Sequence, residues 1–254
     1  MLIDTHAHLD EEQYNDVREL IIEEAQRQNV GLIINPGIDL ASSMKSIDLA
    51  KEYSMIYSAV GVHPHDVKDL NMEDYIQVEN LAKHLKVVGI GEIGLDYYYE
   101  YSPKALQIMA FEKQIEIAEK MDLPIIIHSR EAHQDTYNIL KGHNGLEGVM
   151  HSFSGSWEMA EKYLDLGFYI SFSGSITFKN ARKLPEVAEK VPLDRLVVET
   201  DSPYLTPVPY RGKRNHPCYV EYVVRKICEI RCCSYAVLLN KIEKNVHDLF
   251  KKLD

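Results

Sequence analysis

The chain has 254 residues, 45% hydrophobic and 26% charged, the proportions of an ordinary folded protein rather than a disordered one. A formal charge of −11 argues against broad electrostatic capture of nucleic acid, which uses basic surface. It leaves room for an enzyme with a local basic rim, or with metal ions that neutralise part of its acidic charge.

In chain order, short β-rich runs alternate with helical stretches. The first run covers residues 2–5, and Val17, Leu20, Ile21 and Ala25 then fall on one helical face. Runs follow at 30–35, 55–62, 87–91 and 124–127. Before the last of these, Ile108, Phe111, Ile115 and Ala118 mark another amphipathic helix. The remaining runs are 148–150, 168–171 and 195–198. Eight strand–helix units in series imply a parallel sheet that can close into a TIM (β/α)8 barrel, whose usual size is about 250 residues. An extra C-terminal helix is expected beyond the eighth unit, with Ser234 as N-cap and Leu239, Ile242, Val246 and Leu249 on its apolar face. No linker or low-complexity segment divides the chain, so residues 1–254 read as one domain. No apolar stretch is long enough to span a bilayer. The N-terminus has neither a basic region nor a cleavable apolar segment, so the expected location is the cytoplasm. Cys218, Cys228, Cys232 and Cys233 read as free thiols rather than a disulfide framework. Cys228 and Cys232 have helical spacing, but the customary partner pair of a zinc site is missing.

The candidate chemistry lies at the strand ends. Residues i and i+2 of a strand share a face, so His6 and His8 aim two imidazoles at one point. Imidazole is the commonest metal ligand among side chains. Glu92, His128, His151 and Asp201 each follow or close an apolar run of their own. Active sites of such barrels gather at the C-terminal strand ends. Six ligands exceed the three of an open catalytic zinc. They suit two cations about 3.5–4 Å apart.

These residues carry a family resemblance. The segments are Asp4-Thr5-His6-Ala7-His8-Leu9, Gly61-Val62-His63-Pro64-His65, Gly89-Ile90-Gly91-Glu92-Ile93-Gly94-Leu95-Asp96-Tyr97, His128-Ser129-Arg130, His151-Ser152-Phe153-Ser154-Gly155, Glu199-Thr200-Asp201-Ser202-Pro203-Tyr204-Leu205 and Arg211-Gly212-Lys213-Arg214-Asn215. In these, and in their order along the whole chain, the sequence resembles the TatD-family metal-dependent deoxyribonucleases of the amidohydrolase-like barrels. One departure is His216, where relatives usually place Glu before the proline. The resemblance implies DNA as substrate, often as a 3′→5′ exonuclease on single-stranded or frayed ends. It also implies two divalent cations, Mg2+, Mn2+ or Zn2+.

On that reading His6, His8 and Asp201 hold one cation, His128 and His151 the other, and Glu92 bridges them. Asp201 and Glu92 are the expected catalytic groups, with Asp201 orienting the attacking water or taking its proton. His63 and Arg130 are expected to contact substrate phosphate, as is Arg214 with its neighbours Arg211 and Lys213. Asp96 and Glu199 would orient ligands, and Tyr97, Tyr98, Tyr99 and Tyr101 could stack on unpaired bases. Trp157 should begin a helix and cover the core. His65, His133, His143 and His247 read as ordinary surface or loop residues. No membrane or obligate protein partner is expected. The same activated water could serve a D-aminoacyl-tRNA deacylase or another ester or amide hydrolase, because fold alone does not separate them. A lysine bridge of the small-molecule amidohydrolase kind is missing at the strand ends, and a non-catalytic scaffold has no need of an open pair of cation sites.

Overall fold

In a computed structural model, which describes residues 1–253, eight strands run in chain order. They are β1 (Leu2–Asp4), β2 (Val30–Pro36), β3 (Ile56–Val60), β4 (Val87–Asp96), β5 (Ile125–Arg130), β6 (Gly148–Met150), β7 (Tyr169–Phe172) and β8 (Leu196–Val198). Every neighbouring pair from β1 to β8 is parallel. The barrel is nearly closed between the ends of the series. Thr5 donates to the Val198 carbonyl through its amide (3.2 Å) and its hydroxyl (3.0 Å), and Ala7 bridges Ser202.

The helices on the outside are α1 (Arg18–Arg27), α2 (Leu40–Glu52), α3 (Met72–Ala82), α4 (Lys104–Met121), α5 (His133–Leu140), α6 (Trp157–Asp165), α7 (Leu184–Lys190), α8 (Val220–Arg231) and α9 (Tyr235–Leu249). Strands covered on both faces read as continuous apolar runs, and all ten residues of β4 are buried. The last helix, α9, is the extra one. It buries Leu238, Ile242, Val246 and Leu249, and Asn245 donates to the carbonyls of Leu193 (2.8 Å) and Leu196 (2.7 Å) at the foot of β8. No helix among the described residues is long and apolar enough to cross a membrane.

Two buried glutamines of α4 fix the strand ends that carry chemistry. Gln114 accepts from the Val62 amide (2.7 Å) and donates to its carbonyl (3.0 Å), just before His63. Gln107 does the same for Asp96 at the end of β4 (2.8 and 3.0 Å). Each side-chain amide replaces a strand partner for backbone groups that would otherwise be buried unpaired.

Some details differ from the sequence reading. Leu20 is exposed, because α1 turns Ile21, Ile22 and Ala25 inward and Val17 sits at its N-cap. Ser234 occupies the N-cap of α9 but makes no side-chain cap bond. Strand β4 runs on to Asp96 and β5 to Arg130, so Glu92 and His128 lie within strands rather than after them. The β4–β5 ladder skips between Ile90 and Ile93, and such irregularities re-aim side chains beside active sites. At Gly94 (φ +139°) a Cβ would meet the His128 carbonyl at 2.0 Å, so only glycine lets the two strands approach there.

Candidate metal centre

Glu92 is the hub. Its Oε2 lies 3.2 Å from His6 Nε2 and 3.6 Å from His8 Nε2. Its Oε1 lies 2.8 Å from His128 Nδ1, 3.2 Å from His151 Nε2 and 3.6 Å from His63 Nε2. Asp201 Oδ1 stands 3.9 Å from His6 Nε2 and 3.7 Å from His8 Nε2. All six predicted ligands therefore converge, and His63 joins them.

Local backbone structure explains the convergence. Ala7 is fully buried and tied on both sides, its amide donating to Ile34 O (3.0 Å) while the next amide, of His8, donates to Ser202 O (2.8 Å). The flanking His6 and His8 are thereby turned to the same side. Asp201 is held in the left-handed region (φ +56°), which aspartate tolerates better than most residues, by its amide bond to His6 O (2.9 Å). Beneath them, buried Asp4 accepts from the Thr200 amide (2.8 Å), the Thr200 hydroxyl (2.5 Å) and the His6 amide (3.3 Å).

A second layer of carboxylates orients the imidazoles. Asp96 Oδ2 lies 3.0 Å from both His128 Nε2 and His65 Nε2. Glu199 Oε1 lies 2.9 Å from His151 Nδ1, close but poorly aligned for a hydrogen bond, and its Oε2 accepts from Ser171 (2.6 Å). Such carboxylate–imidazole pairs fix ring orientation and raise ligand basicity.

The electrostatics follow from this packing. Burial, with His151 next to it, lowers His6 to about 4, so its ring is neutral and able to donate a lone pair. Burial likewise holds His63 well below the ordinary imidazole value. For His151 burial acts downward, but Glu199 and Glu92 together carry it well above that value; Asp96 and Glu92 similarly raise His128 against burial. Burial acts upward on Glu92, yet the histidines around it hold it well below the usual carboxylate range. Burial pushes Asp201 up to about 6.

This donor set fits a divalent cation. His6 Nε2 and His8 Nε2 point at one another across 3.1 Å, where two lone pairs need a proton or a metal between them. The donors fall into groups that share Glu92, among them His6–His8–Glu92 and His63–Glu92–His128. Imidazole with carboxylate suits zinc, manganese, iron or nickel.

Comparison with known proteins agrees. The family described as TatD related DNase matches residues 3–251. The chain belongs to that family. It is 44% identical to the metal-dependent hydrolase YabD of Bacillus subtilis over 253 residues, covering 99% of each chain. It is 40% identical to the metal-dependent hydrolase YcfH of Escherichia coli, over 99% of this chain and 95% of the other. Among solved structures, YjjV, a TatD homologue from Escherichia coli, superposes with a TM-score of 0.93 at 31% identity over 98% of both chains. The chain is thus a TatD-family metal-dependent hydrolase.

Around this TatD-family centre the remaining predicted residues divide. Arg130, at the end of β5, lies over the rings of Tyr98 (4.0 Å) and Tyr99 (4.7 Å). Tyr99 stacks parallel to Tyr101, with centroids 5.5 Å apart, and Tyr98 and Tyr101 are exposed. Tyr97 instead donates to Asp135 (2.9 Å). Arg214 turns away to the Gln13 carbonyl and the Tyr14 ring, and Arg211 lies over Phe178 (3.8 Å). Lys213 reaches toward the Tyr210 ring. Trp157 opens α6 and packs partly buried on the core.

Two histidines read as ordinary surface or loop residues make specific, partly buried contacts. His65 bonds Asp96 and contacts the rings of His63 and His128, so it belongs to the cluster's outer layer. The signal was its i+2 spacing from His63, the same spacing that identified His6 and His8. His133 is wedged against Phe153 and Tyr163, and burial lowers it to about 4. His143 pairs with Glu119 (2.9 Å) at the surface, and His247 is exposed, as expected. The cysteines are free thiols.

Proposed function

We propose that the chain is a DNA phosphodiester hydrolase, acting as a 3′→5′ exonuclease on single-stranded or frayed DNA with two divalent cations. The observation that carries the reading is Glu92, whose two carboxylate oxygens face two different sets of imidazole nitrogens. His6, His8 and Asp201 would hold one cation, His128 and His151 the other, with Glu92 between them. Mg2+, Mn2+ or Zn2+ bound there supplies Lewis acidity toward the phosphoryl oxygens and acidifies a water. Asp201, pushed up to about 6, would take that water's proton at neutral pH. His63, kept neutral, offers a hydrogen bond to the scissile phosphate through Nε2. Glu199 and Asp96 hold the rings of His151 and His128 in register.

Substrate is gripped beside this centre. The Arg130 guanidinium, braced by two tyrosines, offers a planar fork to a backbone phosphate, and exposed Tyr98 and Tyr101 offer faces to unpaired bases. Stacking of that kind contributes about 1–3 kcal/mol per base. Arg130→Ala should weaken single-stranded DNA binding and flatten the slope of log K against log salt by about 0.7, the value for one lost phosphate contact. Arg214→Ala should act in the same direction but less, since its guanidinium is engaged by Gln13. Binding isotherms over a salt series decide this, and an unchanged slope for Arg130→Ala places the DNA path elsewhere.

The function itself is tested by presenting the metal-loaded protein with 3′-labelled single-stranded DNA and with D-aminoacyl-tRNA side by side. Stepwise release of nucleotides from the 3′ end supports the proposal. Deacylation without nucleotide release replaces it with an ester hydrolase acting on charged tRNA.

A further inference from the structure

Outside the catalytic cluster, a second set of donor atoms converges where α1 meets the turn that precedes α8. His216 and Cys218 bracket Pro217, the first residue of a short 3-10 turn that leads into α8. Glu24 comes from the facing side of α1. One nitrogen of His216, the Cys218 thiol and a Glu24 carboxylate oxygen all lie within 4.8 Å of one another.

The protein alone leaves the imidazole of this arrangement unsatisfied, while Glu24 Oε1 accepts from Gln28 (3.1 Å). His216 Nδ1 is buried and has no hydrogen-bond partner. It stands 3.6 Å from Glu24 Oε2, too far for a hydrogen bond. That spacing is close to the edge of a tetrahedron built on bonds of about 2.0–2.1 Å, roughly 3.3–3.4 Å, which is the separation two ligands of one zinc ion adopt. Cys218 is 2% exposed, whereas Glu24 lies at the solvent edge. The site therefore has one deeply buried ligand in Cys218, a part-buried imidazole in His216 and an open side at Glu24 for water. A thiolate and a carboxylate neutralise a dication.

We propose that His216, Cys218 and Glu24 form a separate zinc-type site that staples α1 to the loop after β8. Binding forms a metal–sulfur bond as the Cys218 thiol gives its proton to solvent, with His216 binding through Nδ1 and Glu24 through a carboxylate oxygen. The location gives the staple a purpose. The adjacent Asn215 donates to the carbonyls of Thr200 (2.8 Å) and Tyr204 (2.5 Å), and its own carbonyl accepts from Tyr14 (2.7 Å). Pinning His216 thus also holds the segment that carries Asp201.

Sulfur separates this site from the catalytic one, whose donors are nitrogen and oxygen only. The probe is Co2+, exchanged into the full-length chain by dialysis and read by near-ultraviolet thiolate-to-cobalt absorption. The wild-type chain should show this band and Cys218→Ser should lose it. The combined Cys228→Ser, Cys232→Ser and Cys233→Ser variant should keep it. Cys218 is buried, so circular dichroism should accompany its variant. Glu24→Gln and His216→Ala lie toward the surface and give an independent reading, each weakening cobalt affinity for this band by about tenfold or more. The proposal is overturned by absence of the band at saturating cobalt, by its survival in Cys218→Ser, by its loss in the three-cysteine variant, or by unchanged affinity in both Glu24→Gln and His216→Ala.

Discussion

Glu92→Ala is expected to reduce hydrolysis by more than about a thousandfold while the barrel stays folded. Removing a single preorganised donor already costs 10²–10³ in rate, and Glu92 does more than one donor: both of its oxygens face imidazoles. Its loss also removes the one carboxylate that His6, His63, His128 and His151 share, so metal content should fall together with turnover. Asp201→Asn should cost about 10²–10⁴, the range for loss of a positioned proton acceptor, with part of the metal retained because an amide oxygen still coordinates. Both side chains lie at the barrel mouth, apart from the apolar core, so circular dichroism and the thermal midpoint with metal should remain those of a folded barrel. Elemental analysis beside kinetics separates the two roles. Near wild-type turnover in either variant, purified free of contaminating nuclease, removes its assigned role.

Why the site was legible and some of its surroundings were not follows from what each residue depends on. His6 and His8 were readable because strand alternation alone puts both on one face, and any parallel barrel brings its strand ends together. Glu199 and Asp96 were readable as orienting groups because each lies near a ligand in sequence or in strand register. His65 was legible only in part: its i+2 spacing from His63 pointed to a shared face, but its partner Asp96 comes from another strand and nothing in the chain's periodicity pairs them. The same holds for Gln107 and Gln114, which look like polar residues on a helix until the strand ends that need their amides are in place. Arg214 was read by charge and proximity in sequence to the mouth, but its direction is set by the Gln13 carbonyl on a distant segment. The inward face of α1 was misjudged for a different reason. Leu20 and Ile22 are one residue to either side of Ile21, and a short helix of ten residues offers too few turns to fix the phase of its apolar stripe.

The crowding of buried carboxyls around the centre has a measurable consequence for the metal-free chain. Burial raises Asp201 from 3.8 to about 6 and raises buried Asp4 well above its ordinary value. A carboxyl whose folded value lies above its unfolded one contributes stability that is fully present below the unfolded value and is lost as pH rises through the folded one. With Asp201 the loss runs from about pH 4 to about pH 7 and amounts to on the order of 3 kcal/mol. Asparagine cannot ionise, so chelator-treated Asp201→Asn should lack this part of the slope. It should be the more stable protein at pH 8 and nearly equal to wild type at pH 4. Asp4 is common to both and cancels in the comparison. Adding divalent cation should reverse the order at pH 8. The cation favours the carboxylate and stabilises whichever chain binds it more tightly, by mass action. Urea unfolding at pH 4, 6 and 8, with chelator and with metal, measures all of this. A metal-free wild type more stable than Asp201→Asn at pH 8 would mean that the carboxylate is already well accommodated without the cation, and the site would then be built for aspartate itself rather than for the metal it holds.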